Sequence, residues 1–113
     1  MTDCLFCRIV AGEIPADVVH EGDRTLAFRD IGAQAPTHVL VVPRDHHADM
    51  ASAVDADPGL AAEVMAAAVA VARQEGLDGG YRLVANTGDD GGQSVHHLHV
   101  HVLGGRPLSW PPG

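Results

Sequence analysis

The chain has 113 residues and a mass of 11.8 kDa, the size of one ordinary domain. Hydrophobic residues make up 46% and charged residues 19%, which supports a packed core and excludes wholesale disorder. Seven Lys+Arg against fifteen Asp+Glu give a formal charge of -8, which argues against a nucleic-acid binder, because that function needs a basic face.

The longest apolar stretch lies in the sixties and early seventies. It is rich in alanine and carries Glu63 and Arg73 near its ends, so it is not a membrane span. No basic-then-apolar start suggests a secretory signal. The two cysteines, Cys4 and Cys7, are too few for a disulfide-stapled secreted domain, and a reducing cytoplasm is expected. Their C-x-x-C spacing leaves three readings open: a redox dithiol, half of a zinc site, or two packed thiols.

In chain order, residues 4–12 read as a short helical turn with Leu5, Phe6, Ile9 and Val10 on its apolar face, ended by Gly12 and Pro15. Val18–Glu21 and Thr25–Arg29 read as a hairpin around Gly22-Asp23. Thr37–Val42, closed by Pro43, is apolar enough to be an interior strand. Asp57 and Pro58 mark a helix start, and the helix runs to about Glu75 before Gly76 stops it. Leu60, Val64, Ala67, Ala68 and Val71 form one stripe of it, and Met65, Val69 and Ala72 an adjacent one. A helix apolar around most of its girth wants cover on two sides, so a second subunit is expected. Tyr81–Asn86 is a strand, 87–92 a Gly- and Asp-rich loop, and His96–Leu103 the last strand before Gly104-Gly105. Strands, one long helix, then strands joined by short turns give a single α+β domain over 1–113 with an antiparallel sheet and a tail from about 104 to 113.

Histidine is the unusual entry. There are eight, and four lie between residues 96 and 101. His97, His99 and His101 alternate with Leu98, Val100 and Val102, so period two puts the imidazoles on one outer face or cleft and the aliphatics in the core. Same-face neighbours on a strand are about 6–7 Å apart, and the first and third about 13 Å. Three such residues do not easily share one small ion, so at least one should do something else. Neutral imidazole is a good nucleophile near neutral pH when its other N–H is held by an acceptor. Ser94, Gln93 and glycine N–H groups nearby could serve phosphoryl oxygens. A catalytic ion on His-x-His, or nucleotide binding without catalysis, remain as other readings.

The run Gln93-Ser94-Val95-His96-His97-Leu98-His99-Val100-His101-Val102-Leu103-Gly104-Gly105-Arg106 resembles the histidine-triad (HIT) signature. Cys4-Leu-Phe-Cys7-Arg-Ile-Val, Gly12-Glu13-Ile14-Pro15, Ala35-Pro36-Thr37-His38-Val39-Leu40-Val41-Val42-Pro43 and Trp110-Pro-Pro-Gly are similar to its HINT branch of purine nucleoside phosphoramidases. The resemblance implies an antiparallel sheet of about five strands with one long and one or two short helices, continued across a homodimer. It implies cleavage of nucleoside 5'-monophosphate derivatives through a covalent nucleotidyl-histidine. His99 would be the nucleophile, its other ring nitrogen held by the His97 carbonyl. His101 would donate to a phosphate oxygen, and His38 would complete the site. Ser94 and Asn86 would contact the phosphate or leaving group, with Gln93 and Val95 beside them. Asp30 would hold the ribose hydroxyls. Leu5, Phe6, Ile9, Phe28 and Ile31 would form the base slot. The resemblance also implies a structural zinc on Cys4, Cys7, His46 and His97, with His47 as a competing ligand, and no magnesium requirement. A dinucleoside polyphosphate hydrolase of the same family is the alternative. His96 stands where that branch often has an aromatic residue, and His20 has no implied role beyond an exposed strand position.

Overall fold

The computed structural model describes residues 3–113 of the chain. The elements run α1 (Leu5–Val10), β1 (Val18–Glu21), β2 (Thr25–Arg29), β3 (Thr37–Pro43), α2 (Met50–Ala56), α3 (Pro58–Gln74), β4 (Tyr81–Val84) and β5 (Val100–Gly104). The strands form one sheet in the order β1-β2-β3-β5-β4, antiparallel at every pairing. β3, the run read as interior, is the central strand, and His38 to Pro43 are all buried.

The sheet carries a core on each face. On one, α3 lays Val64, Ala67, Ala68, Val71 and Ala72 against Ala27, Val39, Val41, Leu98, Val100 and Val102. Alanine at three of those helix positions lets the helix approach the sheet closely and favours helix as well. On the other face, Phe6 of α1 closes over Leu26, Phe28, Leu40 and Val42. Period two therefore splits β3 cleanly: Val39 and Val41 face α3, and Leu40 and Val42 face α1.

Local signals account for the helix ends. The Asp57 side chain accepts from the Leu60 N–H at 3.1 Å, capping α3 with Pro58 just inside. Gly76, at φ +71°, takes the left-handed conformation that ends the helix. Cys4 caps α1, its sulfur accepting from the Cys7 N–H at 3.4 Å.

Four expectations change. First, there is a helix between β3 and α3 that the sequence signals do not announce: α2, capped by Asp49, whose side chain accepts from Ser52 N–H at 2.8 Å. Second, β4 ends at Val84 rather than Asn86. Third, the last strand begins at Val100, not His96, because the preceding main-chain groups bond elsewhere. The Leu98 N–H donates to the His47 carbonyl at 2.7 Å, and the His97 carbonyl is taken by a side chain. It also runs on through Gly104, where a Cβ would lie 2.7 Å from Leu77 Cδ1; glycine there belongs to the packing and does not stop the strand. Fourth, His20 is half-buried on β1.

The second stripe of α3 is only partly covered: Ala72 is buried, Val69 half-buried and Met65 exposed. Leu60, by contrast, is 1% exposed at the start of the helix. Leu60→Ala is expected to destabilise the fold by about 2–5 kcal/mol. A urea titration checks this, and an unshifted midpoint would mean that the helix start is not packed as described.

Candidate active site and metal centre

The triad segment divides between two sites because its residues aim different atoms in different directions. His97, fully buried, donates its Nε2–H to the Pro43 carbonyl at 2.9 Å. That leaves the Nδ1 lone pair facing Cys4 Sγ at 3.4 Å, Cys7 Sγ at 3.5 Å and His46 Nδ1 at 3.1 Å. Cys7 Sγ is also 3.4 Å from His46 Nδ1. A tetrahedral zinc with Zn–S of about 2.3 Å and Zn–N of about 2.0 Å has ligand-to-ligand edges of roughly 3.3–3.8 Å. The four donors come close to that spacing, and the Pro43 carbonyl supplies the outer partner that metal-bound imidazoles usually have. Cys4, Cys7, His46 and His97 thus form a cluster able to coordinate a metal such as zinc. His47, the competing candidate, is not in it; its main chain braces Leu98 instead.

His99 turns the other way. Its Nδ1–H donates to the His97 carbonyl at 2.8 Å, so the tautomer this bond selects has its lone pair on Nε2. It lines a cavity of about 540 Å³ together with His101, Ser94, Val95 and Asp30. Leu5, Phe6, Ile9, Phe28 and Ile31 supply apolar walls of the same cavity. Phe6 sets its ring edge-on to both His99 and Phe28, at centroid distances of 5.1 and 5.5 Å.

His38 reaches the site from β3. Its Nε2 is 2.9 Å from His101 Nδ1 and 3.4 Å from Asp30 Oδ2, and its Nδ1 accepts the Gln34 N–H at 3.0 Å. Burial pushes the His38 and His97 pKa values below the usual histidine range. It pushes His101 down to about 4, with His99 and His38 adding to the effect. These three imidazoles are therefore neutral at pH 7, and the position of each proton becomes a structural question. The histidine face is also less open than period two suggested: His97 and His99 are buried, each edge-on to the Phe6 ring of α1.

Three expected residues are not among those lining the cavity: His38, which stands behind His101, and Gln93 and Asn86. Gln93 is buried and directs its amide to main chain, accepting from Gly88 N–H and donating to the Ala48 and Val95 carbonyls. It braces the loop and is not among the lining residues, and neither is Asn86. His96 is exposed. The cavity also includes residues that sequence reasoning passed over: Ile14, Pro15, Ala16, Asp17, Arg29 and Leu40. Leu40 was detectable, since it sits two positions from His38 on the same face of β3 and pairs across the sheet with His101. Residues 14–17 carry no comparable signal.

Comparison with known proteins agrees with this geometry. The HIT domain family matches residues 11–108. An uncharacterised HIT-like protein of Synechococcus elongatus is 50% identical over 111 residues, covering 98% of this chain and 97% of the relative. A 14 kDa zinc-binding protein of Zea mays is 48% identical over 111 residues, covering 96% and 87%. Among solved structures, a HIT family hydrolase from Legionella pneumophila superposes with a TM-score of 0.94 at 52% identity, covering 98% of this chain and all of the other. The triad and these likenesses support hydrolase chemistry in general. A family match over nearly the whole chain and relatives near 50% identity place it without ambiguity: the chain belongs to the HIT, or histidine-triad, family.

Proposed function

We propose that the protein is a HINT-like phosphoramidase, cleaving the P–N bond of purine nucleoside 5'-monophosphate derivatives such as adenosine phosphoramidates. The observation that carries this reading is the bond from His99 Nδ1–H to the His97 carbonyl, which leaves Nε2 free as a nucleophile inside an apolar-walled cavity. In the reaction, His99 Nε2 attacks the α-phosphorus and the P–N bond breaks. The leaving nitrogen takes up a proton and departs as an amine. Water then attacks phosphorus, breaks the bond to His99 and releases the nucleoside monophosphate with the proton consumed in the first step.

The surrounding residues suit this chemistry. His101 donates to a phosphate oxygen, and Ser94, which also lines the cavity, offers a hydroxyl. Asp30 suits ribose hydroxyls, and Leu5, Phe6, Ile9, Phe28 and Ile31 suit the faces of a purine. Neutral donors take the part a magnesium ion plays elsewhere, so no magnesium requirement is expected.

Cys4, Cys7, His46 and His97 would hold zinc, closed by four protein ligands and therefore structural, tying the N-terminal helix to the sheet. We also assign the protein to the cytoplasm and to a homodimer. Supporting the dimer are the open edge at β4 and the exposed Met65 on α3.

Three outcomes check this reading. His99→Asn should lower turnover of an adenosine phosphoramidate by at least ~10³-fold while leaving the melting curve in place. Mass spectrometry of the quenched wild-type reaction should show one nucleotidyl adduct on His99, and full activity in the variant would eliminate the mechanism. Removing zinc, by chelation or Cys7→Ser, should lower the melting temperature by roughly 10 °C, the equivalent of about 2 kcal/mol. Calorimetry with metal analysis tests it; a metal-free protein with an unchanged melting curve would refute the structural zinc.

A further inference from the structure

The family match does not say why His99 and His101, two residues apart and ring to ring at 5.0 Å, should play different chemical roles. Their roles require different tautomers. The nucleophile needs a lone pair on Nε2, and the donor needs a proton there. The His97 carbonyl settles the first. The second traces back through three residues to the C-terminal tail.

A main-chain N–H can only donate. The Gln34 N–H points at His38 Nδ1 at 3.0 Å, so that nitrogen must present its lone pair. Neutral His38 then carries its one proton on Nε2. The nearest acceptor for that proton is His101 Nδ1 at 2.9 Å, with Asp30 Oδ2 farther off at 3.4 Å. If His101 accepts at Nδ1, neutral His101 must carry its own proton on Nε2. That Nε2 is shielded from solvent and is the one buried side-chain polar atom among the described residues with no hydrogen-bond partner. A donor held in that state is costly until an acceptor meets it, and His101 lines the cavity where a phosphate oxygen would sit.

The Gln34 N–H belongs to an exposed loop, residues 30–36, so something must hold it in place. Within the loop, Gln34 Nε2 donates to the Gly32 carbonyl at 2.8 Å, and the Gly32 N–H donates to Asp30 Oδ1 at 2.8 Å. From outside, Arg106 Nη2 donates to the Gln34 carbonyl at 2.9 Å. Gly105, at φ +91°, lies so close to Pro36 that a Cβ would come within 2.8 Å of its side chain, so the tail is packed where Arg106 can reach.

We propose that Arg106 is a positioning residue which, through the main chain of Gln34, fixes the proton of His38 on Nε2 and thereby makes His101 an Nε2–H donor. The role assigned to that donor rests on the proposed phosphoramidase activity; the tautomer relay itself does not. The relay also bears on the group formed by Asp30, His38 and His101, whose donor atoms are close enough to hold an ion. A cation there would need the lone pair of His38 Nε2, driving the proton onto Nδ1 against the Gln34 N–H. The relay therefore commits the His38 and His101 Nε2 atoms to donating, with Asp30 as an acceptor beside them, unlike the lone pairs of the cysteine–histidine cluster.

The test is ¹⁵N NMR of the imidazole nitrogens in the zinc-loaded, substrate-free protein near pH 7. Wild-type protein should show protonated Nε2 at His38 and His101 and protonated Nδ1 at His99. Arg106→Ala should turn His38 and His101 into tautomer mixtures while leaving His99 as it was. It should lower kcat for an adenosine phosphoramidate ~5–10-fold with KM within about twofold, and Arg106→Lys should restore part of the loss. A His38 proton found on Nδ1 in the wild type would overturn the proposal, as would an Arg106→Ala protein with wild-type tautomers and kcat. Should that variant fail to fold, Arg106→Gln and the wild-type spectrum decide the matter. Absence of any phosphoramidate turnover in the wild type would remove the proposed function and leave the relay standing or falling on its spectra.

Discussion

The His97 carbonyl is the group on which the rest of the site depends. In a regular strand it would bond to a neighbouring strand. Here it accepts from His99 Nδ1 at 2.8 Å, and β5 begins only at Val100. One lost ladder position thus supplies one oriented imidazole. The exchange is stable because the segment is anchored on either side of that carbonyl: the His97 ring bonds to the Pro43 carbonyl, and the Leu98 N–H to the His47 carbonyl. Leu98 is buried in the core beneath α3, so the backbone cannot relax toward a regular ladder without lifting an aliphatic side chain out.

Helix α1 extends the same dependence to the cavity. Cys4 and Cys7, at its start, face the metal cluster, while Leu5, Phe6 and Ile9, interleaved with them, line the cavity. A helix of six residues has little stability of its own, since nucleation costs more than so few hydrogen bonds return. What holds it is tertiary: Phe6 packed on Phe28, and the two sulfurs opposite His46 and His97. The candidate metal cluster and the candidate base slot are therefore two sides of one short element. An ion held by that cluster would bear on ligand binding without touching the ligand.

Legibility in the sequence depends on the range over which each interaction acts. The long helix was readable because Asp57, Pro58 and Gly76 act within a turn of themselves. The strand hairpin and the interior strand were readable from turn chemistry and an unbroken apolar run. The alternation from His97 to Val102 put Leu98, Val100 and Val102 in the core although half of that stretch is not in the ladder, because extended backbone keeps its period of two with or without a partner strand. The grouping of Cys4 with His97, 93 residues apart, had no local signal, and the family resemblance supplied it. Gln93 shows the opposite limit. A glutamine in a glycine-rich loop reads equally well as a ligand contact or a brace, and only the carbonyls around it reveal the brace. Helix α2 was not legible because its cap at Asp49 comes directly after a run of charged and histidine residues that reads as loop.

The composition, acidic overall yet rich in histidine, bears on how such a site could meet a phosphate. Among the described residues, Arg29 is the one guanidinium lining the cavity, and it is already engaged by Glu75 at 2.6 Å, with Asp17 nearby. A fixed cation is therefore not what the cavity offers. It offers imidazoles with protons placed by main-chain groups, and burial disfavours the charged forms of His101 and of His38 behind it. Such donors need no counter-ion and do not compete with one another by repulsion, so several can crowd into a space where several lysines could not. In return, each donor works only in one tautomer. A site built on neutral histidines must therefore commit main-chain groups to holding protons in place, as this one does at His97 and Gln34.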